Sequence, residues 1–129
     1  MGKLHAIVLD DCDIDQYFAT QTLQKTGWFD DIEQFLDPRQ VLNFLAECRY
    51  QRQQVDLLLS DFRMPYLNGL EFFSKLYAAE LQQTVRHASM MLTVPLLPRE
   101  EQALHRLDPS IGFLTKPLAE TAIKQALLH

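Results

Sequence analysis

Apolar runs and amphipathic stretches alternate along the chain. His5–Asp10 (HAIVLD), Val55–Asp61 (VDLLLSD) and Ala88–Val94 (ASMMLTV) are short, continuous and rich in aliphatic residues. That is the pattern of strands buried on both faces. Asp31–Leu36 (DIEQFL) alternates and predicts a more exposed strand, and Ile111–Lys116 (IGFLTK) predicts the last one. Between them, Phe18, Ala19, Thr22 and Leu23 recur at helical spacing before Gly27, a natural helix stop. Asp37-Pro38 reads as an N-cap and first-turn proline for a helix carrying Val41, Leu42, Leu45 and Cys48. Asn68-Gly69 introduces a third stripe of Leu70, Phe73, Leu76, Tyr77 and Leu81, and Arg99–Leu107 predicts a short, mostly polar helix. Ala119, Ala122, Ile123, Ala126 and Leu127 complete the series as an amphipathic helix. Five strands alternating with five helices predict a parallel sheet covered by helices on both faces. AECRYQRQQ (46–54) predicts an extended second helix or loop before the third strand.

The 129 residues suit a single domain, 1–129, with a real core. The formal charge of −5, from 12 Lys and Arg against 17 Asp and Glu, argues against direct nucleic-acid binding, which needs clustered cations. Cys12 and Cys48 lack metal-ligand spacing and predict free thiols in a reducing compartment. No apolar stretch approaches the roughly 20 residues of a membrane helix, and the N-terminus lacks a signal-peptide layout. A cytoplasmic, soluble domain is expected.

In a sheet of this kind the functional crevice lies beyond the carboxyl ends of the strands. Asp10 and Asp11 end the first strand, Asp61 the third, Thr93 the fourth and Lys116 the fifth. Taken singly, each has an ordinary explanation: helix caps for Asp10 and Asp11, a turn former at Asp61, a β-former at Thr93, a solvated loop lysine at Lys116. Their convergence on one sheet edge is what points to chemistry. Three carboxylates suit a hard divalent cation such as Mg²⁺. With the metal and a lysine to neutralise phosphoryl oxygens, a carboxylate becomes a competent nucleophile toward phosphorus.

Asp13 and Asp15 are assigned to the first turn of the following helix, where acids are favourable. Asp11, Asp13 and Asp15 begin like a calcium loop, but Gln16 and Thr22 stand where glycine and glutamate are required. Asp11-x-Asp13 also resembles the nucleophile motif of haloacid-dehalogenase-type phosphatases, although Asp15 breaks that pattern and the chain is short for that fold.

The ordered blocks resemble those of two-component response-regulator receiver domains of the chemotaxis type, over essentially the whole chain. LDD supplies the acid pair Asp10 and Asp11. LLLSDFRMPYLNG carries D-x-x-M-P-x-x-x-G through Asp61, Met64, Pro65 and Gly69. MLTV supplies Thr93, and FLTKPL supplies Lys116 and Pro117. The resemblance implies a flavodoxin-like, doubly wound fold and a phosphorelay role rather than metabolic catalysis. Asp61 would accept a phosphoryl group from a histidine kinase or histidine phosphotransfer protein. Asp10, Asp11, Asp61 and the backbone carbonyl of Arg63 would bind Mg²⁺, with Asp10 acting largely through water. Lys116 would contact the phosphoryl oxygens, Thr93 and Phe113 would form the switch, and the Lys116–Pro117 peptide would be cis.

The resemblance also implies a partner surface formed by the fourth helix, fifth strand and fifth helix, with a homodimer as a further possibility and no output domain after the last helix. Val94 stands where the family commonly has a small residue, and with Pro95 it predicts slowed exchange at Asp61. The competing expectation is a receiver-fold interaction module that works without phosphorylation.

Overall fold

The computed structural model describes residues 3–128. β1 (Leu4–Leu9), β2 (Phe29–Phe35), β3 (Val55–Asp61), β4 (Val85–Leu92) and β5 (Gly112–Thr115) form one parallel sheet in the order β2-β1-β3-β4-β5. The crossovers run through α1 (Asp13–Thr26), α2 (Pro38–Tyr50), α3 (Gly69–Ala78) and α4 (Pro98–Leu107), and α5 (Glu120–Leu127) follows β5. This is the doubly wound, flavodoxin-like arrangement that the alternation predicts.

Side chains on a strand alternate between faces, so the continuous runs fill two cores. Ile7, Leu9, Leu58 and Met90 pack with Leu45, Phe72 and Phe73 on one face. Ala6, Val8, Leu57, Leu59 and Met91 pack with Ala19, Leu23 and Ile123 on the other. The strand order reverses at β1, which pairs with β2 on one side and β3 on the other. Chain segments leaving β1 and β3 therefore open a crevice between them.

Local sequence sets the helix starts. Asp37 caps α2 by accepting from the Arg39 backbone N–H at 2.9 Å, with Pro38 in the first turn. Asn68 and Glu71 exchange side-chain and backbone bonds at 2.8 and 3.0 Å to start α3. Gly27, at φ 72°, ends α1 in the left-handed region open to glycine. Trp28 follows it at the amino-terminal edge of the sheet, with the Lys124 ammonium 5.4 Å from its ring centre.

Several boundaries and faces differ from the sequence expectation. β4 begins at Val85, because Val85 and the polar His87 still pair with Val55 and Leu57 of β3, and ends at Leu92 before Thr93-Val94-Pro95. Leu81 lies in a short 3₁₀ turn (Leu81–Thr84) beyond α3, and Phe72 joins Phe73 in the core. On α1, Phe18 is exposed, whereas Gln16, Ala19, Thr20, Leu23 and Thr26 are buried. Gln16 tolerates burial because its amide donates to the carbonyls of Phe35 at 2.6 Å and Val8 at 3.3 Å. The 46–54 stretch is largely helix: α2 runs to Tyr50, and Arg52 turns the chain at φ 58°. Cys12 is exposed and Cys48 buried, both as free thiols. Among the described residues no helix is long and apolar enough to cross a membrane.

Gly69 joins the core to the crevice. Its N–H donates to the Phe62 carbonyl at 2.7 Å. A Cβ there would stand 2.6 Å from Met90 Cε and 2.9 Å from Phe62 Cδ1, both on fully packed side chains. Gly69→Ala is therefore expected to destabilise the fold by about 1–3 kcal/mol through overpacking. Urea denaturation that gives equal midpoints for variant and parent would contradict this.

Candidate functional site

The carboxyl ends of β1, β3, β4 and β5 bring together residues more than a hundred positions apart. Asp10 leaves β1 with its N–H bonded to the Phe35 carbonyl at 3.1 Å, which fixes the backbone where β1 meets β2. Its carboxylate is fully buried, accepting from the Cys12 N–H at 2.9 Å and from Lys116 Nζ at 2.7 Å. Asp11 is exposed beside it. Neither acid caps α1, whose N-cap is Cys12 without a side-chain bond. Asp61 ends β3, and Lys116 directly follows β5, held there by its backbone N–H bonded to the Leu92 carbonyl at 2.8 Å. The Lys116–Pro117 peptide is cis.

The Lys116 ammonium is the centre of the cluster. It lies 2.7 Å from Asp10, 3.0 Å from Asp15 and 3.3 Å from Asp61, with its side chain 13% exposed. These carboxylates hold its pKa above the ordinary lysine value despite burial, so it stays charged. Burial, then repulsion from Asp10, pushes Asp61 up to about 6. Burial likewise raises Asp10. Lys116 alone does not offset the accumulated negative charge.

Asp10, Asp11 and Asp61 offer carboxylate oxygens within 4.8 Å of one another. Opposite ligands of an octahedral Mg²⁺ shell lie about 4.2 Å apart, and the donors are hard oxygens. The residues therefore fit a small divalent cation.

Thr93, exposed just past β4, lines a cavity of about 200 Å³ with Asp15, Asp61, Val94 and Lys116. Val94 is 58% exposed at its mouth. Phe113, half-buried on β5, packs against His105 of α4 with ring centres 5.2 Å apart. Arg63, two residues after Asp61, directs its guanidinium to Glu100 of α4 at 3.2 Å. Glu100 also accepts from the Leu97 N–H at 2.9 Å.

Two residues exceed the sequence reading. Asp13 and Asp15 do occupy the first turn of α1, but Asp15 also reaches Lys116. A usable signal existed: helical side chains tilt toward the helix N-terminus, so a first-turn acid at this edge points back toward the strand ends. Glu100 carried no comparable signal, because its pairing with Arg63 depends on how α4 docks.

The sequence matches the profile of the response regulator receiver domain over residues 6–128. It is 26% identical over 120 residues to the Arabidopsis thaliana protein ARR13, named as a two-component response regulator. That match spans 92% of this chain and 19% of the relative, so the chain covers about a fifth of its length. Among solved structures, the Mg²⁺ complex of the receiver domain of the A. thaliana histidine kinase CKI1 superposes with a TM-score of 0.80 at 21% identity. That superposition covers 98% of this chain and 92% of the other. The Saccharomyces cerevisiae Ssk1 receiver domain, crystallised with the histidine phosphotransfer protein Ypd1, gives a TM-score of 0.73 at 16% identity over 98% of this chain and 87% of the other. At these identities the likeness to the solved structures is one of fold.

The charge crowding has a measurable consequence in metal-free buffer. Unfolded Asp61 ionises near 3.8 and folded Asp61 near 6. The folded state thus binds the extra proton between those values, and Asp61's contribution to stability falls as pH rises through that window. Asp61→Asn removes the charge with little change in shape. It should be more stable than the parent by about 1–3 kcal/mol above pH 6, with the gap shrinking toward pH 4. A gap independent of pH in urea titrations would exclude this penalty of burial and repulsion on the Asp61 charge.

Proposed function

Because the chain belongs to the response regulator receiver domain family, we propose that Asp61 accepts a phosphoryl group from the phosphohistidine of a histidine kinase or histidine phosphotransfer protein. The observation that carries this reading is Lys116 Nζ held between the buried Asp10 and Asp61, at 2.7 and 3.3 Å. In the transfer, an Asp61 carboxylate oxygen forms a bond to phosphorus as the donor's phosphorus–nitrogen bond breaks. The leaving imidazole keeps the electron pair and takes a proton from solvent. Loss of the signal is attack by water on phosphorus, which restores the Asp61 carboxylate and releases inorganic phosphate. The domain's chemistry is thus confined to its own modification, a signalling role rather than metabolic catalysis.

Asp10, Asp11, Asp61 and the Arg63 backbone carbonyl would hold Mg²⁺, which when bound neutralises phosphoryl oxygens. Lys116 supplies a fixed positive charge to the same oxygens. Thr93 offers a hydroxyl donor from the cavity wall, and Phe113 is positioned to follow it against His105. Such a change needs only two packings separated by a few kcal/mol. The α4-β5-α5 face carries the output to a partner protein. The CKI1 complex with Mg²⁺ and the Ssk1 complex with Ypd1 support the metal and the donor class.

Incubation with acetyl phosphate and Mg²⁺ should add one phosphoryl mass to Asp61, lost in Asp61→Asn and in EDTA. Folded protein that gains no mass would instead favour the phosphorylation-independent module, and turnover of external phosphoesters would favour a phosphatase. Val94→Ala should speed both loading and loss at Asp61 by a few-fold, since it trims a branched side chain from the cavity mouth. Equal rates for variant and parent would remove Val94 as the brake.

A further inference from the structure

Lys116 has three N–H donors, and three carboxylates take them: Asp10 at 2.7 Å, Asp15 at 3.0 Å and Asp61 at 3.3 Å. None remains free for a phosphoryl oxygen. Asp10 is fully buried and Asp61 is 14% exposed, whereas the Asp15 side chain is 39% exposed and comes from a helix, not from a strand end. Asp15 also lines both cavities that open beside Lys116, the 200 Å³ one with Asp61 and Thr93 and a 270 Å³ one with Phe18, Pro117 and Leu118. Any phosphodonor that approaches through either opening passes this carboxylate.

Charge shows what the extra acid does. Asp10, Asp11 and Asp61 with Lys116 and one bound divalent ion sum to neutrality; Asp15 makes the loaded site negative by one unit. An anionic donor therefore meets net repulsion and a lysine whose donors are already engaged. The same carboxylate adds attraction for the cation.

Resting on the phosphoacceptor reading, we infer that Asp15 is a specificity-determining residue: it engages Lys116 and discriminates against small phosphodonors according to their negative charge, while strengthening divalent-cation binding. A protein donor, delivered by docking, does not depend on the long-range attraction that Asp15 removes. Small acyl phosphates do. With an acyl phosphate an Asp61 oxygen bonds to phosphorus as the phosphorus–oxygen bond to the carboxylate breaks, and the carboxylate departs with the electron pair; with phosphoramidate the phosphorus–nitrogen bond breaks and ammonia departs.

The test compares Asp15→Asn with the parent, using acetyl phosphate (a dianion near neutral pH) and phosphoramidate (net charge minus one), both at saturating Mg²⁺. Asparagine keeps an oxygen acceptor for Lys116 and removes only the charge. Two unit charges some 6 Å apart in water change a rate by about threefold. Loading by acetyl phosphate should therefore rise about tenfold and loading by phosphoramidate about threefold, a gain that scales with donor charge. Calorimetric Mg²⁺ titration should show binding weakened by about three- to tenfold. Asp13→Asn, an exposed acid of the same turn without a lysine contact, should leave the donor ratio unchanged. Equal gains with both donors would show that Asp15 acts through position rather than charge and would overturn the inference, as would unchanged rates and Mg²⁺ affinity. If neither protein gains mass on Asp61 with either donor, the phosphoacceptor reading itself fails and this inference with it.

Discussion

A fully buried aspartate at the end of an inner strand is tenable only with a cation against it, and in this chain the cation arrives from the other end of the sequence. Asp10 loses hydration entirely, and removing one partner of such a pair leaves an uncompensated buried charge. Lys116 can reach it because β5 is parallel to β1 and its carboxyl end stands at the same sheet edge. The bond between the Lys116 N–H and the Leu92 carbonyl fixes the root of that side chain. Sheet order, strand direction and the two helical layers all serve to bring one ammonium to one carboxylate. The remaining acids of the crevice are arranged around that pair.

Beyond the crevice, the backbone segment that follows Asp61 is tied in two directions. Gly69 holds it inward against Phe62 and Met90, while Arg63 fastens it to Glu100 on α4. Glu100 in turn bonds the backbone at the start of its own helix. The loop after Asp61 and the amino-terminal turn of α4 are therefore joined by an exposed ion pair. Exposed pairs contribute little to stability, about 0–1 kcal/mol. This link can be broken and remade without threatening the fold.

Much of this was legible in the sequence, and the reasons are specific. Val55–Asp61 matches β3 residue for residue because its aliphatic centre is buried and its polar end still pairs, Ser60 with Met90 and Asp61 with Met91. Asp10, Asp61 and Lys116 were placed together because parallel strands deliver their carboxyl ends to one edge, a rule that needs no side-chain detail. What remained hidden depended on tertiary contacts. Gln16 is buried because two carbonyls on β1 and β2 await its amide, and Phe18 is exposed because the same rotation of α1 turns it outward. Asp15 reads in sequence as an ordinary first-turn acid, because its contact with Lys116 depends on how α1 sits beside the end of β5. β4 starts before its predicted start because pairing of Val85 and His87 with β3 extends the strand whatever the polarity between them.

Trp28, the chain's single tryptophan, sits where β2 begins, and the acidic crevice lies where the strands end. A strand of seven residues separates the two edges by roughly 20 Å. The Lys124 ammonium of α5 lies 5.4 Å from the indole ring centre. The indole is thus remote from the crevice around Asp61 and adjacent to α5. The fold carries its own optical probe at the sheet edge opposite the acidic crevice.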